Sequence, residues 1–480
     1  MNQFYKMLLS FFITQLSSVI YAGDLWVSKT GTQDTCGPTE DLACTSIQQA
    51  LSVAGPGDTI LITAGTYTED SSTSPHVNKC YWIDSSYASL CAVGSGTALA
   101  PITLTAAPGS ERRVIVDSQN DRIGLHLLKA DYIHVKNMVF VNNFIIGIGS
   151  WGQVQNEIAN QDTLGIGIRI ENNKILDTNG PYGLNVSGLG MWGSKDWVVK
   201  NNYIQNVHSE QSREASCIQA YGVINALIEN NDLIDCASGI FWKDHFIENI
   251  SRDPVIESEI RYNNINAYSS GVQIGIRGSG SVEAGHNYIH HNYIHGFSGS
   301  GIYGNMAAAH SISASLTIEH NLFNGDGSST KAITLDAFDS VAIKGNLFLD
   351  VGIDIEIIKY SDTKIVIVKK SDYNVFDNSF KAVTARYSTS EKTYDSLALW
   401  NRIVSSDSVN FGISNPDSNS VSNPITNIVE TNGLTYKQTS PAYRMMPDNS
   451  NAGPIQFGNE VIGSSFVRPK APSNVIFTSN

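Results

Sequence analysis

Apolar and polar residues alternate in short runs along most of the chain, and these runs recur at a nearly constant interval. Residue pairs that each contain Asn mark the recurrence, beginning at positions 142, 172, 201, 230, 263, 291, 320, 345 and 373. Successive pairs are therefore separated by 25 to 33 residues. A repeat with a period of about 20 to 50 residues is typical of a solenoid.

A second alternating run follows the pairs, for example at residues 217–220, 239–242 and 271–274. Runs this short cannot bury an apolar face alone, so neighbouring coils must stack strand upon strand at about 4.8 Å. Alternation sends Ile, Val and Leu inward and polar residues outward, and no run keeps a helical period. The pattern predicts an all-β fold, a right-handed parallel β-helix.

The recurring Asn residues have their own physical explanation. Asn tolerates the left-handed backbone conformation that a sharp corner between two strands requires. Side-chain amides that are stacked from coil to coil can also hydrogen-bond along the column. The sequence therefore predicts an Asn-lined corner that runs along the solenoid.

The chain ends are predicted to differ from the repeats. Residues 1–22 resemble a secretory signal peptide cut before Gly23; the alternative is a membrane anchor, for which the segment is short. Residues 23–480 are predicted to form one domain, with residues 23–70 as N-terminal cap and first coil and about 385–480 as a C-terminal wrap. Residues 46–51 predict a short amphipathic capping helix over the open end of the core.

Composition narrows the possible partners. The formal net charge is −14 and only 16% of residues are charged, without a basic run, which argues against a nucleic-acid partner. Six cysteines suit an exported protein, secreted, periplasmic or at the cell surface, with no membrane contact after signal cleavage. We expect disulfides between Cys36 and Cys44 and between Cys80 and Cys91. Cys217 and Cys236 form either a third disulfide or two buried thiols.

Three segments carry a resemblance to a known family. They are LWVSKTG at 25–31, TSIQQA at 45–50 and PGDTILITAGTY at 56–67. These segments are similar to the start of many secreted β-helix proteins of the pectin-lyase-like superfamily, and the tail segments at 371–376 and 440–443 also fit. The resemblance covers roughly residues 24 to 460. It implies the β-helix fold, whereas activity varies within the superfamily among lyases, hydrolases, epimerases and adhesins.

The second runs predict which outward residues share one long groove, a shape that suits an extended polysaccharide. Aligning the runs predicts two columns of residues. The first comprises Gln219, Phe241, Gln273, Tyr303 and Thr334, and the second Tyr221, Lys243, Asn305 and Asp336. His245 and Arg277 are expected just beyond them.

Lys243 is the predicted catalytic base. Cleavage of a uronate polymer by β-elimination needs a base for the proton beside the carboxylate and a positive charge for the developing enolate. A neighbouring cation such as Arg277 would lower the pKa of Lys243 and so favour that role. The superfamily's lyases are similar in using a Lys or Arg on this face. The alternative is a solvated groove cation.

Arg277 is predicted to bind the substrate carboxylate, because its planar guanidinium matches that group. Its structural alternative is an ion pair with Glu283. Tyr221, His245, Tyr303 and Gln273 are predicted to contact substrate, the tyrosines by stacking on sugar rings. Alternatively, the aromatic residues stabilise the solenoid and His245 is an ordinary surface residue.

Calcium is the one cofactor that the sequence suggests. Glu210 and Glu214 could hold the ion beside the groove, because carboxylate oxygens are its preferred ligands. However, the compact Asp cluster of the superfamily's calcium-dependent lyases is absent, and a solvated charged loop is the alternative.

The predicted function is that of a secreted, monomeric polysaccharide lyase acting on an acidic polymer. A non-catalytic glycan-binding or adhesion solenoid and a glycoside hydrolase are the alternatives. Inverting hydrolysis needs two carboxylates about 6.5 to 9.5 Å apart, and no outward pair on adjacent runs clearly supplies them.

Overall fold

The computed structural model describes most of the chain between residues 22 and 422. The described residues are 22–75, 80, 87–128, 130–150, 165–210, 215–245, 257–277, 281–282, 286–305, 311–312, 315–336, 338, 340–359, 368–377, 380–386, 390–406 and 419–422. Residues 1–21 of the predicted signal peptide and most of the predicted C-terminal wrap lie outside these ranges.

Short β-strands account for most of the described secondary structure. A 3₁₀ turn at Glu40–Leu42 and two helices, α1 (Ile47–Val53) and α2 (Leu397–Ser406), accompany them. The first strands are β1 (Asp24–Val27), β2 (Thr59–Ile62), β3 (Gly65–Tyr67), β4 (Ala88–Ala92), β5 (Ile102–Ala106), β6 (Val114–Asp117), β7 (Ile123–Leu127), β8 (Ile133–Lys136), β9 (Val139–Phe144), β10 (Ile146–Ser150), β11 (Gly165–Ile166) and β12 (Arg169–Glu171).

Longer strands dominate the middle of the chain. They and the strands that follow are β13 (Lys174–Gly180), β14 (Val186–Lys200), β15 (Tyr203–Ser209), β16 (Ala215–Glu229), β17 (Asp232–His245), β18 (Glu257–Arg261), β19 (Asn264–Arg277), β20 (Ser281–Val282), β21 (His286–His290), β22 (Tyr293–His295), β23 (Ser300–Asn305), β24 (Ser311–Ile312), β25 (Ser315–Glu319), β26 (Leu322–Asp336), β27 (Ser340–Lys344), β28 (Leu347–Lys359), β29 (Val368–Asp372), β30 (Val375–Phe376), β31 (Ala382–Arg386), β32 (Ser390–Tyr394) and β33 (Val421–Ser422).

The strands form a parallel β-helix, which confirms the predicted fold class. One sheet contains 31 of them, and among the described strands β31 with β32 is the antiparallel pair. Strand β16 illustrates the winding, because residues 216–221 pair with β17 whereas residues 227–229 pair with β18. Each coil therefore supplies three faces: the first face after the Asn corner, then the groove face, then the third face.

Inward residues of the groove face form a continuous apolar column. It consists of Ile218, Ile240, Val272, Ile302 and Ile333, all 0% exposed and paired in register. Each buried side chain of this size contributes about 1.5 to 3 kcal/mol before the loss of chain entropy. Stacking of coils thus supplies the burial that no single run could achieve.

The Asn corner is a hydrogen-bonded ladder. In each pair one residue makes the sharp turn of the backbone, and the other forms the hydrogen bonds between coils. From position 172 onward, the second residue of each corner pair is a fully buried Asn that accepts from the preceding coil while donating to the next. For example, Asn231 donates from both N and Nδ2 to Oδ1 of Asn263, at 2.9 Å each. The first residue, such as Asn230, takes the left-handed conformation with φ of 55°. The predicted pair at 263–264 is displaced by one residue, because Tyr262 has φ of 55° and Asn263 is the buried ladder residue.

The pair at 142–143 belongs to a different corner, contrary to the simple repeat. Asn142 has φ of 56° and is in line with Asp177 of the next coil, whereas Asn172 follows Asn137 in the ladder corner. The side chain of Asn143 donates to Leu176 O and Thr178 rather than to the ladder. Two corners with similar backbone geometry select the same residue type, so spacing alone did not distinguish them.

Helix α1 confirms the predicted short capping helix. Ile47, Ala50 and Leu51 are buried. The Glu69 carboxylate accepts from the N–H groups of Ile47 at 2.6 Å and Gln48 at 2.9 Å, and thereby satisfies the helix N-terminus. At the other end of the described residues, Trp400 of α2 is 1% exposed and packs against Phe380 and Tyr394.

The structure contains three disulfides. The pairs Cys36–Cys44 and Cys80–Cys91 are confirmed as predicted. The open alternative for Cys217 and Cys236 resolves as a third disulfide that links β16 to β17 inside the core. Among the helices of the described residues, none is long and apolar enough to cross a membrane.

Candidate functional site

The register of the groove face confirms both predicted columns. Gln219 pairs with Phe241, which pairs with Gln273; Tyr303 and Thr334 continue the column. In the second column Tyr221 pairs with Lys243, and Gly275 separates Lys243 from Asn305 and Asp336. Residues up to 117 positions apart in sequence, Gln219 to Asp336, thus line one face.

Lys243, His245 and Arg277 meet at one end of this face. His245 of β17 pairs with Arg277 of β19, and Lys243 pairs with Gly275 two residues earlier. Strand spacing and rise place the Cα atoms of Lys243 and Arg277 roughly 8 Å apart. For these three residues the description covers the backbone alone.

Tyr221 is buried at the edge of the groove face rather than open to solvent. Its side chain is 6% exposed, and its hydroxyl accepts from Gln219 Nε2 and donates to Asn185 Oδ1, both at 3.1 Å. The ring packs against Trp192 at 4.6 Å and Phe241 at 6.2 Å between centroids. The structural alternative for this aromatic residue therefore has direct support, because neighbouring coils cover it.

Among the side chains of the two columns whose burial is described, those of Gln273, Tyr303 and Asn305 are partly exposed. The Tyr303 hydroxyl accepts from Asn305 Nδ2 at 2.8 Å, so two polar side chains are positioned together. Gln219 is fully buried and its Oε1 lacks a hydrogen-bond partner. A polymer would therefore reach the face in the coils that contain Gln273 and Tyr303.

An ionic cluster occupies the face beyond Tyr303. Lys331 Nζ lies 2.8 Å from both oxygens of Glu356, and Thr334 donates to the same carboxylate at 3.1 Å. Thr334 is 2% and Glu356 is 7% exposed. Lys331 and Thr334 thus occupy both oxygens of this carboxylate.

Of the two candidate calcium ligands, Glu210 is the one that the structure describes. Glu210 is exposed, and its Oε2 accepts from the backbone N–H of Tyr182 at 3.2 Å. Glu214 lies outside the described residues, as does Glu283, the predicted alternative partner of Arg277. In the ranges that the structure covers, no group of three or more His, Cys, Asp or Glu side chains could hold a metal ion.

The third face carries a column of opposite charges that the sequence analysis missed. Glu229 lies 2.6 Å from Lys200 and 3.0 Å from Arg261, and Arg261 lies 2.6 Å from Glu259. Burial would raise the pKa of Glu229, but the hydrogen bond of Lys200 and the charge of Arg261 lower it overall. Because these charges neutralise one another, this face offers an acidic polymer no concentrated positive field.

In comparisons with known proteins, the matches to this chain are solved structures. No family model and no curated protein matches the chain. The structures include pectate lyase Pel9A, with 14% identity, a TM-score of 0.46 and coverage of 69% of this chain and 77% of that one. A rhamnogalacturonan lyase has 13% identity, a TM-score of 0.45 and coverage of 92% and 96%.

A third similar structure is the PL6 family polysaccharide lyase from Pseudopedobacter saltans. It has 15% identity, a TM-score of 0.35 and coverage of 87% of this chain and 97% of that one. Every one of these TM-scores is below 0.5, so the likenesses carry no argument about activity. The β-helix fold rests on the strand register described above.

Proposed function

We propose that the protein is an exported polysaccharide lyase that cleaves a uronate-containing polymer by β-elimination. One observation carries the proposal: Lys243, His245 and Arg277 fall on adjacent strands of the groove face, beside the partly exposed Gln273 and Tyr303. Strand alternation assigns positions 243 and 245 to the same side as Phe241, and position 277 to the same side as Gln273.

In the proposed reaction, neutral Lys243 removes the proton at C5 of a uronate residue, next to its carboxylate. The electron pair of that C–H bond forms a C4–C5 double bond while the C4–O bond to the neighbouring sugar breaks. The leaving oxygen takes up a proton from water or from the protonated lysine. Arg277 neutralises the carboxylate, which stabilises the enolate charge that develops during proton removal.

The other predicted substrate contacts differ in how accessible their side chains are. Tyr303 and Gln273 are partly exposed and can reach a bound chain, the first through its ring and hydroxyl and the second through its amide. His245 is proposed to position the chain beside Arg277. Tyr221 is buried, so it is proposed to support substrate binding indirectly, by fixing the side chain of Gln219 at the edge of the groove through a hydrogen bond.

Calcium takes no part in the proposed steps. The ion requires about six to eight oxygen ligands, and Glu210 contributes one exposed carboxylate. The described donor set does not fit such a site. Export remains part of the proposal on the strength of three disulfides and the apolar N-terminal segment.

The test is the absorbance of unsaturated products when the protein is incubated with pectate, alginate and glycosaminoglycans. Lys243→Ala is expected to reduce the initial rate by about 100-fold or more, the usual contribution of a general base. Lys174→Ala is the matched control, because its ammonium lies 5.9 Å from the Tyr203 ring on the first face. An undiminished rate in Lys243→Ala would eliminate the proposed base.

The variants Arg277→Ala and Arg277→Lys distinguish the effect of the positive charge of Arg277 from that of its planar guanidinium group. If Arg277 binds a carboxylate through two parallel hydrogen bonds, lysine restores little of the lost kcat/KM. Reducing ends released without a new double bond would indicate a glycoside hydrolase instead. Binding to glycans without any product would indicate the non-catalytic alternative.

A further inference from the structure

A second concave site lies where the first face turns into the groove face. This corner pocket, of about 370 Å³, is lined by Asn120, Phe144, Asn179, His208 and Glu210, with Gly180 and Pro181 forming part of its wall. Pockets that hold small ligands occupy about 300 to 1,000 Å³. The corner pocket is therefore large enough for one ring-sized ligand.

The solenoid builds this pocket from three consecutive coils. Phe144 of β9 pairs with Asn179 of β13, which pairs with His208 of β15, so a phenyl ring, an amide and an imidazole occupy successive rungs. The His208 ring stacks on Tyr268 with centroids 6.0 Å apart and planes 13° from parallel, which prolongs the column by one more ring. Such a column offers flat apolar surfaces with polar groups between them.

The electrostatics of the corner pocket differ from those proposed for the Lys243 end of the groove. None of its lining residues is Lys or Arg. Glu210 contributes a carboxylate to the lining, and the lining residue His208 has its Nε2 3.6 Å from Oδ2 of Asp235. A uronate carboxylate would meet like charge there, whereas neutral hydroxyl groups could donate to Glu210 and to the amide oxygens.

We infer that the corner pocket binds a neutral sugar residue, with its ring against Phe144 and His208 and its hydroxyl groups on Asn179 and Glu210. The inference rests on the proposed function and deepens it, because the lining residues Gly180 and Glu210 precede β14 and β16, the strands that continue into the groove face. A polymer that fills both sites would carry neutral sugars, as branches or within its backbone, in addition to uronates.

Saturation-transfer NMR tests the inference without using activity. The probes are methyl glycosides of glucose, galactose, mannose and rhamnose, with galacturonate and glucuronate as acidic counterparts. At least one neutral glycoside is expected to show saturation transfer, and the two uronates are expected to bind more weakly. Loss of one neutral hydrogen bond in Asn179→Ala should weaken the best neutral ligand about 3- to 10-fold.

Two further variants sharpen the result. Glu210→Gln removes the negative charge with little change of shape, so it should narrow the difference between neutral and acidic sugars. Lys243→Ala should leave neutral-sugar binding unchanged, which separates this site from the proposed catalytic residues. The inference is overturned if no neutral glycoside binds, if Asn179→Ala and Glu210→Gln bind as the unmodified protein does, or if uronates bind equally well.

Discussion

Asn263 Nδ2 donates a hydrogen bond of 2.9 Å to Oδ1 of Asn292, 29 residues further along the chain. The same Asn263 accepts two hydrogen bonds from Asn231 through its Oδ1. All three side chains are fully buried. One side-chain amide thus fixes the vertical register of three coils, and the alignment of the groove columns depends on that register.

Replacement of Asn263 by Ala should destabilise the fold by about 2 to 4 kcal/mol, because it leaves two donors of Asn231 buried without their acceptor. Urea unfolding followed by circular dichroism measures the change. Asn179→Ala, at an exposed position outside the ladder, is the control and should shift stability by less than about 0.5 kcal/mol. Equal midpoints for the two variants would contradict a stabilising role for the ladder.

The Cys217–Cys236 disulfide should contribute about 2 to 4 kcal/mol, because it closes a loop between positions separated by 19 residues. The double variant Cys217→Ala/Cys236→Ala is therefore expected to unfold at a lower urea concentration. The Cys36–Cys44 pair closes a shorter loop, with a separation of 8, and its double variant should lose less. A reversed order of the two losses would argue against the loop-entropy explanation.

His291 should make the protein less stable in acid. Burial, helped by the positive charge of His320 and His290, lowers the pKa of His291 to about 3. In the unfolded chain His291 therefore binds a proton near pH 6.5, whereas in the folded chain it stays neutral until about pH 3. The free energy of unfolding consequently falls as pH decreases from 6.5 toward 3. The limiting slope for one such group is about 1.4 kcal/mol per pH unit.

His291→Asn is the variant that tests this dependence, because position 291 has φ of 55° and Asn tolerates that conformation. Its unfolding free energy should vary less between pH 6.5 and 4 than that of the unmodified protein. Parallel curves for the two proteins would show that His291 does not carry the predicted linkage.

Glu69 should be required for docking of the N-terminal cap. Glu69→Ala leaves the N–H groups of Ile47 and Gln48 without their acceptor, a cost of about 1 to 3 kcal/mol. Hydrogen exchange in α1 should accelerate more than exchange in β16, because the loss is local. Glu111→Ala, at an exposed carboxylate, provides the control; unchanged protection of α1 in Glu69→Ala would refute the docking role.

Much of the site's geometry was predictable because strand alternation and coil length are local properties of the chain. The columns that contain Gln219 and Tyr221 followed from aligning the second runs, and the structure confirms both registers. Solvent exposure of the same two residues was not predictable. It depends on Trp192, Phe241 and other residues brought over them by neighbouring coils.

From the sequence alone came the parallel solenoid, the capping helix and the positions of Lys243 and Arg277 on neighbouring strands, because a periodic apolar pattern limits how coils can stack. Two of the three disulfides followed from cysteines that bracket short loops. Tertiary structure alone decided that Asn142 turns a different corner, that Cys217 bonds to Cys236, and that Phe144, Asn179 and His208 share a pocket. Those outcomes depend on the residues that face one another after each coil has closed. Unlike the Asn ladder, these particular contacts between coils do not recur along the chain.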